Sequence, residues 1–187
     1  MGAEKKYLSR ALLFWLVEYL RHLYEKVEIR FIVHHTEARM VNEEDFFKLG
    51  ESGGTYCASA FELANNLIDA EYPPNAWNIY AFLFSDGDDF DPNRTVAEIG
   101  KMLAKGVNMV GYAKVGISYS GDPLDKMSSL LTALKEAFPL ERSSIAGGLG
   151  VLRGERDFPL LCAVVQGKDH ILPVLREFLR KERWRHE

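Results

Sequence analysis

Apolar positions recur every three or four residues from Leu8 through Leu12, Trp15, Leu16, Tyr19, Leu20 and Leu23, with Arg10, Glu18, Arg21 and Glu25 off that stripe. This spacing predicts a helix over residues 5–26. The β-branched and aromatic run Glu28–Val33 predicts a strand, ended by His34-His35-Thr36-Glu37, and Ala38–Val41 reads as a short edge strand. Asn42 is placed to cap a short helix over Glu43–Lys48, before the loop Gly50-Glu51-Ser52-Gly53-Gly54. Thr55–Asp69 reads as a second long helix, stopped by Pro73-Pro74-Asn75.

Trp77–Phe84 is almost wholly apolar. A strand covered on both faces has this composition, which predicts a central place in a parallel sheet. Ser85-Asp86-Gly87-Asp88-Asp89 ends it, and Asp91 followed by Pro92 opens a helix to about Lys105, with Gly106 past its end. Val107–Ile117 reads as a strand, Leu124–Phe138 as a helix, Pro159–Val165 as a strand and Lys168–Lys181 as a closing helix. The Gly-rich stretch Arg142–Arg156 stays open between strand and loop. Strands alternating with long helices give an α/β class, a doubly wound and mostly parallel sheet with helices on both faces, within one domain over residues 1–187.

Composition narrows the function classes. The chain has 187 residues, 47% hydrophobic and 27% charged, with a net charge of −4. That balance excludes a disordered chain and gives no footing for broad nucleic-acid binding. The longest early apolar run, Ala11–Val17, is too short to span a membrane and lacks a signal-peptide cleavage site. Two separated cysteines, Cys57 and Cys162, fit buried thiols in a reduced, cytoplasmic protein.

Most motif matches fail on context. Gly100-Lys101 and Gly167-Lys168 lack the rest of a phosphate-binding loop, and no GxGxxG occurs. A calcium loop starting at Asp86 would need Gly and Glu where Asp91 and Ala97 stand. Gly50–Gly54 matches GxSxG, and Ser52, Asp86 and His170 follow hydrolase-triad order, but the preceding segment reads as helix where an elbow needs a strand. His34, His35 and Glu37 are an accessory metal-ligand candidate. Neighbouring strand residues point to opposite faces, so a strand-end pair making local hydrogen bonds is the plainer reading. Trp15, Trp77 and the Phe residues lie within apolar runs and read as core.

One constellation remains. Thr55 at a helix start and Asp86 at a strand end are hard oxygen donors suited to Mg²⁺, Mn²⁺ or Ca²⁺, flanked by Ser52, Gly53, Gly54, Ser85, Gly87 and Asp88. The simpler roles are an N-cap for Thr55 and a turn for Asp86.

The blocks His34-His35-Thr36-Glu37-Ala38-Arg39, Gly50-Glu51-Ser52-Gly53-Gly54-Thr55, Trp77-Asn78-Ile79-Tyr80-Ala81-Phe82 and Phe84-Ser85-Asp86-Gly87-Asp88 resemble the YeaH/YhbH family of bacteria over roughly residues 4–115. The GGT and SDG elements are also similar to the von Willebrand factor A superfamily, which implies a Rossmann-like sheet with a metal-ion-dependent adhesion site. By that resemblance Thr55 and Asp86 are metal ligands. The superfamily's third element, Asp-x-Ser-x-Ser, follows its first, central strand and precedes a helix resembling Glu4–Tyr24. This sequence lacks that element and starts as if one strand late, so the strand missing from the sheet falls between Glu28–Val33 and Trp77–Phe84.

Three expectations follow from the resemblance. The ion site is incomplete, and Mg²⁺ or Mn²⁺ binds weakly or not at all. The gap is closed by direct pairing of its flanking strands, by Arg142–Arg156, or by a partner chain, with exposed edges offering a homodimer. The function is a non-enzymatic protein-interaction module in stress response or sporulation, connected with a PrkA-type serine kinase. A metal-dependent hydrolase or phosphatase using Asp86, Asp88 and His35 is the alternative.

Overall fold

Strict alternation of buried side chains organises the core. In the strand β4 (Met109–Val115), Val110 and Tyr112 enter one apolar cluster while Met109, Ala113 and Val115 enter another. In β7 (Leu160–Val165), Leu160, Cys162 and Val164 face the first cluster, and Leu161, Ala163 and Val165 the second. Two-faced burial of this kind needs cover on both sides of the sheet. Each such side chain contributes roughly 1.5–3 kcal/mol on leaving water.

The structure is a computed structural model, and it describes residues 3–48, 56–116, 124 and 127–180. Helices α1 (Ala3–Leu23) and α6 (Ile171–Phe178) cover one face of the sheet. Helices α3 (Ala58–Glu71), α4 (Pro92–Ala104) and α5 (Ser129–Ala137) cover the other. The short α2 (Glu43–Lys48) packs on β1 (Phe31–His34).

Five strands form the main sheet in the order β3 (Tyr80–Ser85), β4, β7, β6 (Leu149–Gly154), β5 (Leu140–Ile145). The pairs β3–β4 and β4–β7 are parallel, while β7–β6 and β6–β5 are antiparallel. Only β6 therefore runs against the other strands, so the mixed α/β sheet is mostly parallel. A separate two-stranded antiparallel sheet joins β1 to β2 (Ala38–Val41), with Phe31 opposite Val41.

Several elements differ from the sequence reading. The apolar Trp77–Phe84 run gives β3, which among the described residues is an edge strand of the five-stranded sheet and not a central one. Direct pairing of β1 with β3 does not occur, since they belong to different sheets. Arg142–Arg156 does not fill the gap either. It belongs to the β5–β6 hairpin at the opposite edge, turned by Gly147 and Gly148 at φ 82° and 74°. The second long helix starts at Ala58, with Cys57 at its N-cap position, three residues later than the sequence reading places it. Trp15 is 54% exposed and Trp77 is 38% exposed, so neither belongs to the core. Their runs are apolar, but Trp15 lies on the outer side of α1, away from Leu8, Leu12 and Leu16.

Both thiols are free and buried, as their spacing predicts. Among the described residues no helix is long and apolar enough to cross a membrane.

Candidate functional site

The loop leaving β3 is fixed by the residues that end the strand. Ser85 is buried, and its Oγ lies 3.1 Å from the Tyr112 hydroxyl and accepts from the Gly87 N–H at 3.1 Å. Gly87 has φ 93°, and a Cβ there would stand 2.6 Å from Ser128 Oγ, so only glycine fits this turn. Burial raises the pKa of Tyr112 and keeps the phenol neutral beside Ser85. Asp86 is held between these two fixed residues, half-buried, with Asp88 exposed beyond it. Lys114 on β4 faces both carboxylates. Burial lowers its pKa, Asp88 and Asp86 oppose that shift, and Lys5 of α1 adds to it.

Asp89 ties the loop to the starts of two helices. One oxygen accepts the Cys57 N–H at 3.2 Å and the Asp91 N–H at 3.4 Å, and the other accepts the Thr95 hydroxyl at 2.5 Å. It thus joins the start of α3 to the start of α4, where Asp91 caps the helix by accepting from the Arg94 N–H at 3.0 Å. The Cys57 thiol beside it is pushed up to about 12, first by burial and then by the Asp89 charge. A thiol held neutral in this way is no nucleophile. Sequence reasoning missed Asp89. Its signal is its place two residues ahead of the Asp91-Pro92 helix start, within reach of both helix ends.

The other predicted residues do not converge. His34 ends β1 with its Nδ1 buried and without a hydrogen-bond partner among the described residues, so the expected local hydrogen bonding does not account for it. Burial lowers its pKa, against the Asp89 charge and the Tyr56 backbone. His35 and Glu37 are exposed on the turn between β1 and β2, where the His35 N–H donates to the Glu37 carbonyl at 3.1 Å. His170 Nδ1 accepts the Gln166 N–H at 3.2 Å, a local bond after β7. Ser52, Gly53, Gly54 and Thr55 lie outside the described residues.

The described donors do not fit a closed divalent-ion site. Asp89 is spent on three protein donors, and Asp86 and Asp88 supply the carboxylates that face Lys114. Among the described residues no group of three His, Cys, Asp or Glu is arranged to hold a metal ion. The loop also carries an exposed aromatic ring. Phe90, 83% exposed, stands between Asp89 and Asp91.

A cavity of about 260 Å³ lies away from this loop, lined by Arg21, Arg30, Phe31 and Met40 among others. Its arginines are engaged with Glu43 and Glu28.

Comparison with known proteins places the chain. No solved structure matches it. A UPF0229 protein of Shouchella clausii is 47% identical over 136 residues, which cover 72% of this chain and 33% of that relative. UPF0229 proteins of Bacillus cereus and Bacillus anthracis are 44% identical over 136 residues, again 72% of this chain and 33% of theirs. The matched stretch thus spans about a third of the length of these curated relatives. The family described as "Protein of unknown function (DUF444)" matches residues 1–182. The chain belongs to this DUF444 family, a YeaH/YhbH-type family of bacterial proteins that includes the UPF0229 relatives.

Proposed function

We propose that the chain is a protein-interaction module of von Willebrand factor A type, without catalytic activity, whose adhesion-type ion site is incomplete. The observation that carries this reading is the β3–α4 loop. Its backbone is held by Ser85, Gly87 and Asp89, and it presents Phe90 to solvent among acidic residues. A rigidly held, exposed aromatic flanked by charge is the kind of group that dominates protein–protein contacts. The partner implied by the family resemblance is a PrkA-type serine kinase, in bacterial stress response or sporulation.

Support for a hydrolase is thinner. The Thr95 hydroxyl that donates to Asp89 is fully buried, out of reach of a substrate. Cys57 is held protonated, and His170 and His35 have local bonds that point to no shared substrate position.

Calorimetry with a purified PrkA-type kinase tests the proposal. Binding is expected without added metal, and Phe90→Ala weakens it about tenfold or more, as loss of an aromatic anchor does. Binding unchanged in Phe90→Ala would reject the loop as the docking surface. Tight 1:1 Mn²⁺ binding lost in Asp86→Ala would reject the incomplete ion site.

A further inference from the structure

Helix α1 carries more apolar surface than the sheet uses. Leu8, Leu12 and Leu16 pack into the cluster that holds Met109, Ala113 and Val115. Yet Tyr7, Phe14, Trp15 and Tyr19 of the same helix are four of the nine large apolar side chains exposed among the described residues. The outward positions also have an order. Ala11, Trp15, Glu18 and His22 follow one another at spacings of four, three and four, and Glu4 stands seven before Ala11. At about 100° per residue these five lie within about 60° of arc. All but the half-buried Ala11 are exposed. Such spacing is that of a two-stranded coiled-coil seam, set beside the leucine stripe that meets the sheet.

The two ends of this seam complement each other. When a second α1 runs antiparallel across the first, with the two-fold axis at Leu13, positions equally far from Leu13 meet. Glu4 then meets His22 of the second copy, and Ala11 meets its Trp15, each contact occurring twice. Ala11 leaves a hollow at the helix surface, and an indole fills it. Glu18, 3.5 Å from Arg21 of its own helix, comes beside Tyr7 of the second copy, where Lys168 Nζ lies 4.8 Å from the ring centroid. By helix geometry Tyr7 and Phe14 border the seam on one side and Tyr19 on the other, so that rings shield the polar contacts from water. A parallel pairing would instead set Glu4 on Glu4, Glu18 on Glu18 and Trp15 on Trp15, with like charges opposed and bulk on bulk.

We infer that the outer face of α1 is a dimer interface, covered by α1 of a second copy of this chain running antiparallel to it. Complementarity in both size and charge between the two halves of one helix selects a second copy over an unrelated protein, because only a second copy presents the matching half in both places at once. The interface shares no residue with the Phe90 loop. Self-association through α1 and docking through Phe90 therefore fail separately.

The test is the mass of the chain by light scattering and sedimentation over a range of concentrations. A species of twice the 21.3 kDa monomer is expected, dissociating on dilution. Trp15→Ser removes an exposed ring outside the core clusters, and raises the dimer dissociation constant about tenfold or more. Glu4→Lys and His22→Glu change exposed side chains, and each alone raises it about fivefold, since the altered contact occurs twice. The double variant Glu4→Lys with His22→Glu exchanges the two ends and returns the constant to that of the parent chain. A monomer at millimolar concentration overturns the inference. So does a dimer indifferent to Trp15→Ser, or a double variant that associates no better than its single parents.

Discussion

The five-stranded sheet ends in two strands of opposite character. β5 at one edge reads Leu-Glu-Arg-Ser-Ser-Ile, with Glu141, Arg142 and Ser144 exposed. Charged and hydroxyl side chains of this kind keep an edge from recruiting other strands. β3 at the other edge reads Tyr-Ala-Phe-Leu-Phe-Ser, with no charge and with four of its six residues only half-buried. The same sheet therefore has one edge built to meet water and one built to be covered. The difference lies in the side chains, since both strands have six residues and, among the described residues, each is paired along one side.

The largest effect that can break this comparison comes from behind β3. Gly111 of β4 lies under Phe82, and a Cβ there would approach the Phe82 ring to 2.6 Å and the Phe178 ring to 3.2 Å. Gly111→Ala is expected to lose about 2–3 kcal/mol of stability through overpacking, read as a shift in urea midpoint. If β3 shifts freely toward its open edge, the loss falls well below that, and β3 is then a loosely held strand. Next in size is Asp89→Asn, which weakens the bonds to Cys57, Asp91 and Thr95. It should cost about 1–2 kcal/mol by the same measurement, as expected for hydrogen bonds to a charged group.

Self-association sharpens the contrast directly. Phe84→Pro, which removes an outward amide of β3 and puts no charge on its packed face, should lower the aggregated fraction in light scattering at high concentration. Arg142→Val on the β5 edge should raise it. Equal responses at both edges would remove the distinction between them.

Acid tests the end of β1. The His34 pKa is lowered in the folded state by burial, so the unfolded chain takes up the proton first. Stability contributed by neutral His34 is therefore complete above the ordinary histidine value, about 6.5, and falls as pH drops below it. Urea denaturation at pH 7 and pH 5 should show a smaller loss for His34→Gln than for the parent chain. The smallest effect belongs to the exposed Arg21–Glu43 pair, at 2.5 Å between α1 and α2, where Arg21→Ala should cost under about 1 kcal/mol.

Much of the fold was legible in the chain. The periodicity of α1, the Asp91-Pro92 start of α4 and the apolar runs of β4 and β7 are local signals, and local physics decided them. The place of β3 was not legible, because composition reports how much cover a strand is suited to and not which neighbours supply it. Trp15 misled for a related reason. An apolar helix position says nothing of whether the facing surface is present. At the site, Asp86 and the Gly87 turn were visible as a strand ending in Ser-Asp-Gly. Asp89 was hidden because its partners, Cys57 and Thr95, lie on two helices brought together only by folding. The orphaned His34 Nδ1 could not be foreseen, since burial of one ring nitrogen is a property of the packed molecule.

The clasp made by Asp89 has an entropic consequence. A loop of six residues free to move would lose backbone freedom worth about 1 kcal/mol or more per residue when a partner settled on it. Here that freedom is already spent on folding, in bonds from α3 and α4 that need no ligand. Contacts made by Phe90 would then appear as affinity undiminished by ordering, and encounter would select no rare loop shape.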